Sequence, residues 1–569
     1  MKRIKLYSII AAFAGMLAGA GSCTKNFGEI NTNPSVVTTP NIGFLLTYAE
    51  DRLVTYQYTE WIWESMEQLM RFTQTLTTDP YELTANTNLR YNTFYQDILP
   101  NLFEIRRQIS LLPDSANYQK AAAVTYIIQI LHGLKVTDMN GSIPYNEAGR
   151  GRAESKFDPI YNKQEELFDI WLAELDNSIS LLSSTTLTGQ TEYGAADIYY
   201  KGNWAKWIKL ANSLKLRIAA RLETQNNGKT QQLFQQVMQD ATGPIVEDAD
   251  QLSYQSIDYL PFGTGGEITY RSKRFATGSM INFMKKVEDP RLPLYFEKNN
   301  LQSGYQDTLL KYGRTLPLFI NPADPLIEYQ GGPANISVDT VSKYLTVPFA
   351  VGNTSAGNTI TNYALISPIN RLFFSPKYNL PGGGQYRDVM LTATEGCLLI
   401  AEFIHKGYAG SVDTKGTVQY WYEKGIGSSI KTMNAIAVEA VSTTSFNGDG
   451  ASVISSYIND GDVQLNGIND LERIYIQEHL NFFRNPNEAF VFARRTGYPK
   501  FGSAYYAREV FNEPIPRRFW TLDPGETNRA NWEAAMSDQG FTPNAQDLPS
   551  LSTQRVWYDK TAPAFGEGN

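Results

Sequence analysis

The sequence predicts a mainly α-helical fold, a scaffold of paired helices with a loop-rich region of short β-strands packed on it. Three observations carry that expectation. Apolar residues recur at spacings of three and four from about Ile42 to Leu222; glycine clusters punctuate short β-like runs from about Gln251 to Gly384; and helical spacing returns from about Val389.

The first element is not part of the fold. Lys2, Arg3 and Lys5 precede an apolar stretch from Leu6 to about Leu17, shorter than the roughly 20 residues a helix needs to span a bilayer but suited to an export signal. Ala20, Gly21 and Ser22 would admit a peptidase, and Cys23 follows them directly, the arrangement of a lipobox. Residues 1–22 are therefore expected to be a lipoprotein signal peptide, Cys23 the lipidated residue, and 23–41 a polar tether. An ordinary secretory signal, with Cys23 incidental, is the alternative. The body would be one unit, 42–569, with its helical scaffold at about 42–250 and 389–500 and its loop-rich, ligand-side region at about 251–388 and 501–569.

Composition narrows the function classes. The chain has 569 residues with 50 Lys and Arg against 58 Asp and Glu, a formal net charge of −8. Such a surface does not attract nucleic acid, and none is expected as a partner. Cys23 and Cys397 are the two cysteines, so lipidation of the first leaves no internal disulfide and the core alone must hold the exported body together. His132, His405 and His479 lie far apart in sequence, and no metal or other cofactor is expected. The 34 Tyr, 28 Phe and 9 Trp suit half-exposed surfaces that touch sugars or partner proteins, because a tyrosine ring stacks while its hydroxyl stays wet.

The elements follow in order. Phe168, Trp171, Leu172, Leu175, Ile179 and Leu182 share one helix face, as do Trp204, Trp207, Ile208, Ala211, Leu214, Ile218 and Leu222. Both are core stripes, and their tryptophans are assigned to packing. Gly263 to Gly266, Gly331-Gly332-Pro333 and Pro381 to Gly384 mark turns of the middle region. Two short helices are expected to flank Gly407–Gly416, and one last helix to run from about Leu471 to Thr496, with loops after Phe501. Alternating helix pairs point to a scaffold of the tetratricopeptide type, most clearly where Ala401, Phe403 and Ile404 precede Tyr420, Tyr422 and Gly425.

Catalytic signatures are absent: there is no nucleophile elbow, His-Glu-x-x-His or Walker loop, and the glycine clusters lack dinucleotide spacing. Asp460-Gly461-Asp462 opens like a calcium loop, but Leu465 and Leu471 stand where the turn glycine and closing carboxylate belong, so it is assigned to a polar turn.

A set of motifs spans nearly the whole chain: Asn31-Thr32-Asn33-Pro34; Thr137 to Tyr145; Asp197-Ile198-Tyr199-Tyr200 leading into Trp207 to Arg217; Asp289-Pro290-Arg291-Leu292; Ala401-Glu402 with Gly407; Gln477-Glu478-His479; Arg494 to Pro499; and Ile515 to Phe519. In this order the chain resembles the SusD/RagB family of nutrient-binding outer-membrane lipoproteins of Bacteroidota, in its SusD-like branch. Ser142, where an acid is common, and the scarcity of acids behind Cys23, limited to Glu29, depart from the family pattern.

The resemblance implies a lipid-anchored, surface-exposed outer-membrane protein that captures oligosaccharides. It would act as a hinged lid on a SusC-like TonB-dependent β-barrel. A peptide cargo is the alternative within the family; a surface glycan hydrolase, or a lid without its own affinity, are alternatives of other classes. Enzymatic activity is not expected. Each motif also has a structural role: Gly141 and Pro144 shape a turn, and Arg494, Arg495, Arg517 and Arg518 are expected to hold helix ends and loops. For ligand contact the aromatic candidates are Trp61, Trp63, Tyr81, Tyr91, Tyr95, Tyr270, Tyr329 and Phe374. Trp61 and Trp63 point about 200° apart on a helix, so only one of the two fits the core.

Overall fold

The structure, a computed structural model, describes residues 40–54, 60–78, 88–256, 274–301, 320–334, 346–354, 357–374 and 383–568. The helices of eight residues or more, numbered in chain order, begin with α1 (Ile42–Asp51), α2 (Leu99–Leu111), α3 (Gln119–Asn140), α4 (Gln164–Ser183), α5 (Trp204–Leu222) and α6 (Asn227–Gln239). They continue with α7 (Gly278–Lys286), α8 (Ala393–His405), α9 (Val418–Glu439), α10 (Ala451–Ile458), α11 (Asp470–Asn481), α12 (Pro486–Thr496) and α13 (Arg529–Gln539). A π-helix, Glu60–Leu69, precedes α2. No helix among the described residues is long and apolar enough to cross a membrane.

Side-chain caps set several boundaries. Asn41 accepts from the Gly43 and Phe44 amides to start α1, Asn203 from Lys206 to start α5, and Thr392 from Glu395 to start α8. The single helix expected over 471–496 is two helices. Pro486 carries no amide proton to continue α11, and Asn485, whose side chain caps Glu488, opens α12 instead.

The helices stack in neighbouring pairs: α1 with α2, α3 with α4, α4 with α5, α5 with α6, and α8 with both α9 and α11. This is the expected scaffold of tetratricopeptide type. Close approach within the α8/α9 pair depends on Gly425, since a Cβ there would lie 2.9 Å from Leu398 Cγ. Trp171 and Trp207 are fully buried, as the stripes require.

Strands are few and paired in twos, all antiparallel: β1 (Leu76–Thr77) with β5 (Phe275–Ala276), β2 (Ile143–Pro144) with β3 (Tyr161–Asn162), β4 (Leu252–Ser256) with β8 (Tyr386–Leu391), and β6 (Thr346–Thr354) with β7 (Gly357–Ala364). Two helices stand where the sequence suggested only loops and strands, α7 in the middle region and α13 near the end. Both are short and amphipathic, with Met280, Ile281, Phe283 and Met284 buried in the first and Trp532, Ala535 and Met536 in the second.

The motifs are structural joints. The Asp197 carboxylate accepts the Tyr199, Tyr200 and Gly202 amides and, at 2.8 Å, the Trp207 indole, which locks the turn into α5. Arg291 forks onto Asp289 and reaches Ser429, Tyr457 and Gln477. Arg494 donates to the Arg517 carbonyl, Arg517 pairs with Asp559, and Arg518 donates to Gln554 and the Phe519 carbonyl, as expected of those arginines.

A buried chain of charges crosses the scaffold. Arg221 of α5 forks onto Asp138 of α3 at 2.8 and 2.7 Å and reaches Glu488 of α12 at 3.0 Å. Arg217, one turn earlier, forks onto Glu395 of α8 at 2.5 and 2.7 Å. Arg495 of α12 forks onto Glu402 of α8 at 2.5 and 2.9 Å and approaches Glu478 of α11 at 3.4 Å, while Lys406 bridges Glu402 and Glu223. Carboxylates outnumber cations in this chain. Burial, followed by the charge of Glu402, accordingly raises the Glu478 carboxyl well above its ordinary value.

Candidate functional site

An open groove of about 840 Å³ lies between α1, α2, α3 and the segment after β2. That size suits a small oligomeric ligand, since binding clefts typically run to about 300–1,000 Å³. Helix α2 builds it by having two working faces. Leu99, Leu102, Ile105 and Ile109 are buried against the core, whereas Asn101, Phe103, Glu104, Arg106, Arg107 and Ser110 line the groove.

A planar stack forms its distinctive feature. The Arg106 guanidinium lies 4.7 Å from the Phe103 ring centre and 4.3 Å from that of Tyr126 on α3. It donates to Thr125 Oγ1 at 2.8 Å and Gln129 Oε1 at 2.7 Å, both neutral. Burial draws its pKa below the ordinary arginine value, opposed by neighbouring phenols and by Glu174, whose carboxylate accepts the Tyr145 phenol at 2.6 Å. Arg107 forks onto Glu104 at 2.8 and 2.6 Å, and Arg150 reaches Glu154 at 3.3 Å on the rim. Flat rings, a guanidinium, an amide and carboxylates together form a surface that can stack on an apolar sugar face and bond its hydroxyls.

Two smaller spaces lie elsewhere. A cavity of about 70 Å³, touched by Trp61, Arg90, His132, Lys135, Arg217 and Arg484, has room for a few waters and none for a sugar ring. A hollow of about 250 Å³ lies beside Arg508, Phe511, Arg517 and Phe565.

The residues singled out by sequence fall in several places. Trp61 is 2% exposed and packs edge-on to Phe374 at 5.7 Å, while Trp63 is half-buried, so the pair divides as its spacing requires. Phe374, expected on the ligand side, is fully buried among Phe373, Phe483 and Arg484, and Tyr329 is 6% exposed in the core. Both differ from expectation because the segments carrying them are folded onto the scaffold rather than raised from it. Tyr91 and Tyr95 meet, with ring centres 4.6 Å apart, and the Tyr95 hydroxyl donates to the Pro144 carbonyl at 2.6 Å. Cys23, Tyr81 and Tyr270 lie outside the described residues. Sequence reasoning missed Phe103, Arg106 and Tyr126; the available signal was the second, polar and aromatic face of α2 at spacings of three and four.

Comparison with known proteins places this geometry in context. A family model for SusD-like proteins, described as starch-binding and associating with the outer membrane, matches residues 32–520. A structure described as a chitin-binding protein is similar at a TM-score of 0.67 with 20% identity, covering 91% of this chain and 100% of the other. A chitin-binding SusD homolog from Flavobacterium johnsoniae gives 0.65 with 18% identity over 92% of this chain and 99% of that one. A SusD homolog from Bacteroides fragilis gives 0.63 with 18% identity over 91% and 100%. No functionally curated protein matches the sequence.

Proposed function

Because the chain belongs to the SusD-like family, we propose that it is an outer-membrane-associated binding protein that captures oligosaccharides without transforming them and passes them to a SusC-like TonB-dependent transporter. The observation that carries the binding role is the open groove with its Phe103, Arg106 and Tyr126 stack. Rings held by a guanidinium between them are rigid before the ligand arrives, so little side-chain freedom is lost on binding. The family description and the chitin-binding neighbours support a glycan as cargo. Cys23 would carry the lipid anchor, with residues 24–41 as tether to a single body.

The test is titration calorimetry of residues 24–569 with panels of oligosaccharides and peptides, using the wild type and the Phe103→Ala and Tyr126→Ala variants. Saturable binding of a sugar, weakened about three- to tenfold by loss of either ring, is the expected result. Trp63→Ala, Tyr81→Ala, Tyr91→Ala and Tyr270→Ala are measured alongside. Loss of binding in these variants, with Phe103→Ala unaffected, would move the site to the second aromatic set. Peptide binding, or product formation, would overturn the reading.

A further inference from the structure

Resting on the reading of the groove as a glycan site, we propose that its cargo is an acidic glycan, one whose sugars carry carboxylate or sulfate groups, and that Arg106 is the residue that selects it. Of the arginines lining the groove, Arg107 is neutralised by Glu104 and Arg150 by Glu154, whereas Arg106 has no carboxylate within ion-pair distance among the described residues.

Its two hydrogen bonds go to an alcohol and an amide, leaving further N–H donors of the five a guanidinium carries. Its charge is attracted to the faces of Phe103 and Tyr126, which leaves those remaining donors free of any carboxylate partner among the described residues. An arginine that also binds an oxyanion uses the donor fork and the charge together, the geometry in which arginine exceeds every other side chain. The rest of the protein makes the feature informative. With a net charge of −8 the molecule repels anionic polymers as a whole, so affinity for them requires a local cation without a direct ion-pair partner in a place where a sugar fits, and Arg106 feels Glu174 only at longer range. Phe103 and Tyr126 adjoin that cation and line the same groove, so a sugar bound through its oxyanion also meets aromatic surface.

The experiment uses the soluble body, residues 24–569, with oligogalacturonates and sulfated oligosaccharides in one arm and chito- and malto-oligosaccharides of equal length in the other. Wild type, Arg106→Gln, Arg106→Lys and Phe103→Ala are compared, with thermal melts to check that each is folded. Acidic sugars should bind, more weakly as salt rises, and Arg106→Gln should lose at least tenfold for them while Arg106→Lys keeps part. Salt dependence is read on the wild type and so survives a variant that fails to fold. Binding of neutral sugars alone, or acidic binding that Arg106→Gln leaves unchanged, overturns the acidic cargo and leaves the glycan reading standing. Silence in both arms overturns the glycan reading itself.

Discussion

Two kinds of single residue decide more here than their neighbours do. Gly396 sits in the first turns of α8, where alanine would ordinarily be the better helix former by up to about 1 kcal/mol. A Cβ at this position, however, would lie 2.1 Å from the Ile245 carbonyl oxygen, which is main chain and cannot rotate away. Gly396→Ala is therefore expected to destabilise the protein by about 1–3 kcal/mol in urea denaturation, the reverse of the propensity scale. His132 and His479 are the second kind. Burial, reinforced in His132 by Lys135 and in His479 by Arg508, lowers both imidazoles to about 3. Their folded values lie below the unfolded value of about 6.5, so their neutral burial is fully tolerated above pH 6.5 and costs stability progressively as pH falls toward 3. Between pH 6 and 4 each should contribute a slope of about 1.4 kcal/mol per pH unit, and His132→Gln should remove one of the two.

At the level of elements, α5 is the critical helix because both of its buried arginines reach across to other pairs. Arg221→Ala strands Asp138 without its forked partner, and a loss of about 3–5 kcal/mol is expected in equilibrium unfolding, whereas Arg221→Met together with Asp138→Leu should recover much of it. Most of these elements were legible in the sequence. The stripe through Trp171 marked α4, which buries one face, and that through Trp207 marked α5, which is buried nearly all round, and the pairing of α8 with α9 was visible in Gly425 and its surroundings. The division between α11 and α12 was written in Asn485-Pro486, but the continuous apolar spacing on either side obscured it. Helices α7 and α13 were missed because nine and eleven residues carry too few repeats of the pattern to stand out from the glycine- and proline-rich chain around them. The groove was the least legible part. Arg106 and Tyr126 are 20 positions apart on different helices, and only the crossing of α2 over α3 puts one against the other. Aromatic residues of the early segment and of the middle region drew attention instead, and Phe374 among them is core.

For the whole molecule, the ion chain through α3, α5, α8, α11 and α12 has a consequence for how the stack comes apart. In a helical array held by apolar contacts alone, end pairs can peel away while the middle persists, because each pair answers only to its neighbours. Here the carboxylates on α3 and α8 depend on arginines carried by α5 and α12, so detaching one pair leaves buried charge unmatched in several others. A slipped stack, one helical turn out of step, would incur the same penalty. Sliding therefore has no intermediate resting positions, and the fluorescence of the buried tryptophans and the helical circular dichroism should be lost at one denaturant concentration rather than in steps.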